Sequence, residues 1–168
     1  MTSTTPRRFT RLDRHTADFR AGEEAQEEAR KALYAAIIRH LTERNARPGK
    51  IADHTPYDRN WIGELGRQAG VPPLKGPNAV GPAPKYDPAT QAAALEELDA
   101  LTAEYDRAKA AIEKARGPIH EEIIKHYEAG VGPEVLAQHS PYDRNWIGQI
   151  ARSASVTRQR QKSPAPTE

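Results

Sequence analysis

Apolar side chains recur at four-residue spacing at Ala29, Leu33, Ile37 and Leu41, with Glu23, Glu24, Glu27 and Glu28 crowding the N-terminal end. That period, with acids where they favour the helix dipole, predicts a helix from Gly22 to about Arg44. Pro48 lacks an N–H and suits the start of a short second helix reaching about Thr55. Pro56 and Tyr57 follow as a turn, and Asp58 is placed to cap a third helix that runs to about Ala69 and stops at Gly70. Further on, Leu98, Tyr105 and Ile112 lie seven apart, with Leu95, Leu101 and Ala108 beside them. This stripe predicts a helix over 88–116, about 43 Å long. Gly117 and Pro118 are expected to break it, so that Pro118 to Glu128 starts a new helix, followed by Pro133 to Ser140 and Asp143 to about Ser153.

The segment Pro-Tyr-Asp-Arg-Asn-Trp-Ile-Gly stands twice, at Pro56 to Gly63 and at Pro141 to Gly148. Ala52 to Val71 aligns with Ala137 to Val156 without a gap, and 13 of 20 positions are identical. Upstream, after a one-residue slip, Ala29, Arg30, Ile37, Ile38 and His40 pair with Ala115, Arg116, Ile123, Ile124 and His126, so the repeated unit is about forty residues. The expected architecture is all-α, with two tri-helical lobes over 21–71 and 117–156. A Pro/Gly-rich linker over 72–87 and the long connecting helix 88–116 join them. Residues 1–20, with Arg7, Arg8, Arg11 and Arg14, read as a disordered basic arm that can lie along phosphates, and 157–168 as a disordered polar tail. The stripe on 88–116 needs cover, from within the chain or from a second copy, which would make a homodimer through this helix.

Composition narrows the class of protein. Of 168 residues, 37% are hydrophobic, 29% are charged and 14 are proline, which favours two small cores over one large one. Cysteine is absent, excluding disulfides, thiolate zinc sites and a cysteine nucleophile. No apolar run approaches the ~20 residues of a membrane span, and no apolar secretory segment stands at the N-terminus; a cytoplasmic protein is expected. The net charge of +2 is weak, but its distribution is uneven. Residues 29–71 carry eight Lys/Arg against four Asp/Glu, whereas 115–156 carry four against five. His120-Glu121 and His126 do not form a zinc-protease motif, because the histidines are six apart instead of four. His40 with His54, and His126 with His139, supply two ligands each, too few for a metal site. With no phosphate-cradling glycine loop or nucleophile constellation, no enzyme, cofactor or metal is expected.

The repeated segment resembles the helix-turn-helix of resolvase-like and homeodomain-like bacterial (actinobacterial-type) DNA-binding proteins, over roughly 43 residues per copy. Ile51-Ala52 and Leu136-Ala137 match the family's hydrophobic-alanine pair. Tyr57, Ile62 and Leu65, and Tyr142, Ile147 and Ile150, match its apolar positions. Where the family has a turn glycine, Pro56 and Pro141 stand here, implying a different turn backbone. The resemblance implies that the third helix of each lobe enters the major groove of double-stranded DNA. Arg59, Asn60, Arg144 and Asn145 would then meet base edges or phosphates, since Arg bonds guanine and Asn adenine in bidentate fashion. Glu64 and Gln149 differ between copies in a way that would alter base preference, and Arg67 and Arg152 suit phosphates. Gly63 and Gly148, costly in mid-helix by about 1 kcal/mol each, suggest close approach of DNA or of another helix. Trp61 and Trp146 read as packing anchors rather than stacking residues. The implied function is sequence-specific DNA binding by a transcriptional regulator, plasmid- or phage-associated, working in the nucleoid and open to a protein partner. The alternatives are a DNA-architectural protein of low sequence preference and a protein-interaction module.

Overall fold

The computed structural model describes residues 7–155. A 3-10 turn at Arg7–Phe9 leads into α1 (Thr10–Thr42), followed by α2 (Pro48–Asp53), α3 (Arg59–Gln68), α4 (Pro88–Glu128), α5 (Pro133–His139) and α6 (Arg144–Ser153). The described residues contain no strand, as an all-α chain requires. Residues 1–6 and the tail expected over 157–168 lie outside the described residues.

Three boundaries differ from the expectation. Residues 7–20 are not a disordered arm: α1 begins at Thr10 and Phe9, Leu12, Thr16 and Phe19 are buried along one face. The interleaved arginines conceal this face, because Arg8, Arg11, Arg14 and Arg20 point outward between the buried positions. Neither does Pro118 end a helix, since α4 runs through it to Glu128. A proline inside a helix costs about 3 kcal/mol. Here Ile112 and Ala115 before it, and Ile119 and Ile123 after it, are all buried, and their continuous face outweighs the lost hydrogen bond.

The third difference concerns the units themselves. The chain divides into a middle unit, Glu24–Ala108, and a terminal unit made of the residues up to Glu23 and those from Lys109 onward. The 72–87 segment therefore lies within a unit instead of separating two, and α1 and α4 each contribute one half to each unit. In the middle unit, Leu33, Ile37 and Leu41 of α1 pack with Ile51, Ile62 and the Ala94 and Leu98 of α4. In the terminal unit, Phe9, Leu12 and Phe19 pack with Ile112, Ile119, Ile123, Leu136, Ile147 and Ile150. Each core is thus built from four helical pieces, not three. Of the two covers open to the stripe, the chain itself supplies one, with Leu98 buried in one core and Ile112 in the other.

The two units repeat each other in detail. Asp13 Oδ1 lies 2.7 Å from His139 Nδ1, and Thr16 Oγ1 donates to the His139 carbonyl at 2.8 Å. In the middle unit, Asp99 Oδ1 lies 2.9 Å from His54 Nδ1, and Thr102 Oγ1 donates to the His54 carbonyl at 3.1 Å. Leu12 and Leu98, one residue before each aspartate, are fully buried, each worth roughly 1.5–3 kcal/mol. The duplication therefore extends upstream of the forty residues visible in sequence, through the first halves of α1 and α4.

Candidate nucleic-acid interface

Asp58 and Asp143 set the start of the two helices that carry the repeated segment. Asp58 Oδ1 accepts from the Trp61 backbone N–H at 2.8 Å, and Asp143 Oδ1 accepts from that of Trp146 at the same distance. Capping fixes the phase of each helix, and the apolar residues then choose its inner face. Ile62 and Gly66 of α3 are buried with Leu65 beside them, and Ile147, Ile150 and Ala151 of α6 are buried. α3 packs on α2, and α6 on α5. At the C-terminal end, Gly70 takes φ +77°, a left-handed conformation that stops α3 where the sequence places the stop.

The outer faces hold the ten candidate residues. Arg59, Asn60, Gly63, Glu64 and Arg67 are exposed on α3, as are Arg144, Asn145, Gln149 and Arg152 on α6, with Gly148 half-buried. A Cβ built on Gly63 meets nothing within 4 Å, and one on Gly148 meets only the Arg152 Nη1 at 3.5 Å, the tip of a flexible side chain. Among the described residues, no helix therefore requires either glycine. That removes the branch of the expectation in which a neighbouring helix approaches closely.

The copies differ electrostatically. In α3 the Glu64 carboxylate pairs with Arg67 and accepts from Gln68 Nε2 at 3.1 Å. Arg67, with Gln68, holds the Glu64 carboxyl below its ordinary range. Gln149 replaces that carboxylate in α6, which has no acid to pair with Arg152, while Arg144 Nη1 stands 3.9 Å from Glu134. The preceding helices diverge further: α2 exposes Lys50 just after Arg47, whereas at the matching positions the second copy has Val135, 40% exposed, and Gly132.

The tryptophans also part company. Trp61 stacks on Tyr57 with ring centroids 4.0 Å apart, and Tyr34 closes on both rings at 4.9 and 5.5 Å. It is a packing anchor. Burial, with the Tyr34 phenol nearby, pushes the Tyr57 hydroxyl up. His120 occupies the place of Tyr34 in the second copy, its Nε2 3.1 Å from the Tyr142 hydroxyl, and Trp146 sits 6.4 Å from Tyr142 and is 47% exposed. Trp146 is thus about half-exposed and packs less tightly than Trp61.

Sequence reasoning missed Arg47, Lys50 and the role of 72–87. A groove of about 750 Å³ in the middle unit is lined by these two cations, by Arg59 and by Lys75 of the 72–87 segment. The signal was present as the charge imbalance between the copies, because Arg47 and Lys50 are two of the four cations, with Lys31 and Arg44, that the first copy has and the second lacks. Among the described residues, no group of three or more His, Asp or Glu is arranged to hold a metal ion, and no helix is long and apolar enough to cross a membrane. Comparison with known proteins gives no match: no family model, no curated protein and no solved structure is similar to the chain.

Proposed function

We propose that the chain binds double-stranded DNA sequence-specifically through the outer faces of α3 and α6, each the reading helix of a helix-turn-helix, and acts as a cytoplasmic transcriptional regulator. The observation that carries this reading is the pair of mid-helix glycines. Gly63 and Gly148 each weaken a helix by about 1 kcal/mol, yet neither is needed for packing inside the chain. Each lies on the face that also carries an arginine and an asparagine, Arg59 and Asn60 or Arg144 and Asn145. A helix whose surface is bare in mid-course and polar on either side suits close approach to the floor of a major groove. Arg and Asn are there the side chains with bidentate partners on guanine and adenine.

The test is a double substitution, Gly63→Ala with Gly148→Ala, in the full chain. The methyl group added at Gly63 enters open space and that at Gly148 meets only the flexible tip of Arg152 at 3.5 Å, so the melting temperature rises. Affinity for the duplex that the wild-type protein selects from a random pool falls by about tenfold or more, since one lost close contact of ~1.4 kcal/mol is already tenfold. A more stable variant that binds the selected duplex as tightly as wild type would sink the reading. So would a wild-type protein that retains no duplex at all.

One observation favours a second reading for the terminal unit alone. Its α5 and α6 expose Val135 and Trp146, beside Glu134, where the middle unit offers cations. Such a surface suits a protein partner. Retention of selected DNA by a variant in which Arg144, Asn145 and Arg152 are all alanine would assign DNA to the middle unit and the partner role to the terminal one.

A further inference from the structure

The 72–87 segment reads in sequence as a spacer, but it forms one wall of the cationic groove in the middle unit. We propose that this groove holds the phosphodiester backbone of the DNA strand that leaves the outer face of α3. The inference rests on the DNA-binding reading above and adds the residues that grip the backbone.

Four cations line the groove, Arg47 and Lys50 from α2 and its approach, Arg59 from the start of α3, and Lys75 from the 72–87 segment, with Tyr57 and Tyr86 between them. Two carboxylates share the lining, Asp53 and Asp58. Asp58 is committed to capping α3, and Asp53 stands 3.9 Å from Lys50 Nζ, so positive charge predominates. Arg47 is held in place before any ligand arrives. Its guanidinium lies over the Tyr86 ring, 5.4 Å from the centroid, and its backbone N–H donates to Gln91 Oε1 at 3.2 Å. Preorganised arginine and lysine on a concave wall are what a polyanionic strand requires, and the volume is within the range of roughly 300–1,000 Å³ that takes a nucleotide-sized segment and not a lone ion.

Continuity with the reading helix singles out DNA as the occupant. Arg59 belongs both to the groove and to the outer face of α3, so a strand crossing α3 passes directly between α2 and the 72–87 segment. In the second copy Gly132 and Val135 replace Arg47 and Lys50, so two of the four cations have no counterpart there. Since the duplication supplied both copies with the same scaffold, Arg47 and Lys50 mark a task that one copy performs and the other does not.

The experiment compares the full chain with Lys50→Gln/Lys75→Gln and with a control, Lys109→Gln/Lys114→Gln, that removes the same charge from exposed positions on α4. Binding of a short labelled duplex of random sequence is followed by fluorescence anisotropy across salt, with folding checked by circular dichroism. Each lost phosphate contact lowers the slope of log K against log salt by about 0.9. From about 50 to about 200 mM salt, wild type and control should lose about 12-fold more affinity than the Lys50/Lys75 variant. Equal slopes in the two variants would overturn the groove while leaving DNA binding intact. Absence of duplex binding by the wild type would overturn both readings. If millimolar AMP at constant ionic strength binds wild type and not the Lys50/Lys75 variant, yet leaves the duplex bound to wild type, the groove is a free-nucleotide site and backbone docking is refuted.

Discussion

Replacing Leu12 by alanine removes three carbons from a side chain with no exposed surface, in a stretch whose arginine-rich composition reads as a solvated arm. At ~0.8 kcal/mol per buried carbon, the transfer loss is about 2.4 kcal/mol. A cavity that relaxes only partly adds about 1 kcal/mol, so the total is about 3.5 kcal/mol. At roughly 0.05–0.15 kcal/mol per residue, a unit of about 80 residues has about 4–12 kcal/mol to lose, so the substitution takes between about a third and most of its stability. The chain has two tryptophans, one per unit, so each can report alone. In a Trp61→Phe background, Trp146 fluorescence follows the terminal unit during urea unfolding. With a slope of about 1–1.5 kcal/mol per M, the midpoint should fall by about 2.3–3.5 M. Leu98→Ala in a Trp146→Phe background should do the same to the middle unit, seen by Trp61. A loss below about 0.5 kcal/mol for Leu12→Ala would place residues 7–20 outside the core, the range expected of an ordinary surface substitution. A large loss reported by Trp61 instead of Trp146 would refute the assignment of the first half of α1 to the terminal unit.

Acid should weaken the terminal unit first. His126 is buried against Phe9, and burial lowers its pKa, with Glu122 acting to raise it and Arg8, Lys125 and His139 adding to the fall; burial and Arg116 lower that of His120. The unfolded histidines titrate near their ordinary 6.5 and the folded ones lower, so the unfolded state binds more protons in that interval. Stability is therefore full above about 6.5 and lost as pH falls from there through the folded values, by at most about 1.4 kcal/mol per pH unit for each histidine. Trp146-detected unfolding at pH 7 and pH 5 checks this, and a His126→Gln variant with an unchanged pH dependence would remove His126 as the cause. Asn60→Ala with Asn145→Ala should keep both units folded, since both side chains are exposed, and relax base preference by about 1–3 kcal/mol at each contacted position. Selection from a random pool by this variant, yielding the wild-type motif at undiminished strength, would take the asparagines out of the reading role.

The ends and caps of α2, α3, α5 and α6 were legible because their signals are local. Pro48 and Pro133 open helices, Asp58 and Asp143 cap them, and Gly70 closes one, each through an interaction spanning a few residues. The same holds for the outward set on α3 and α6, since a cap and an apolar period together determine the phase of a short helix. Pro118 was misread because its local cost is real and the compensation, four buried side chains around it, is not local. The first half of α1 was misread because its buried residues are sparse among arginines, and only a surface to pack against makes that face worth burying. The motif Leu-Asp-x-x-Thr at Leu12–Thr16 and again at Leu98–Thr102 was its trace, too short to distinguish from chance until His139 and His54 are seen to engage both copies.

The sequence alone therefore determined that the chain is helical, that it is duplicated, and which residues of each repeated segment point outward. All of these follow from spacing and capping within a single helix. Only the tertiary structure decided which half-helix completes which core, that 72–87 is a wall and not a spacer, and that among the described residues no other helix presses on Gly63 or Gly148. Those outcomes depend on contacts between residues tens of positions apart. They are selected by the total apolar surface removed from water, a quantity that no local pattern specifies.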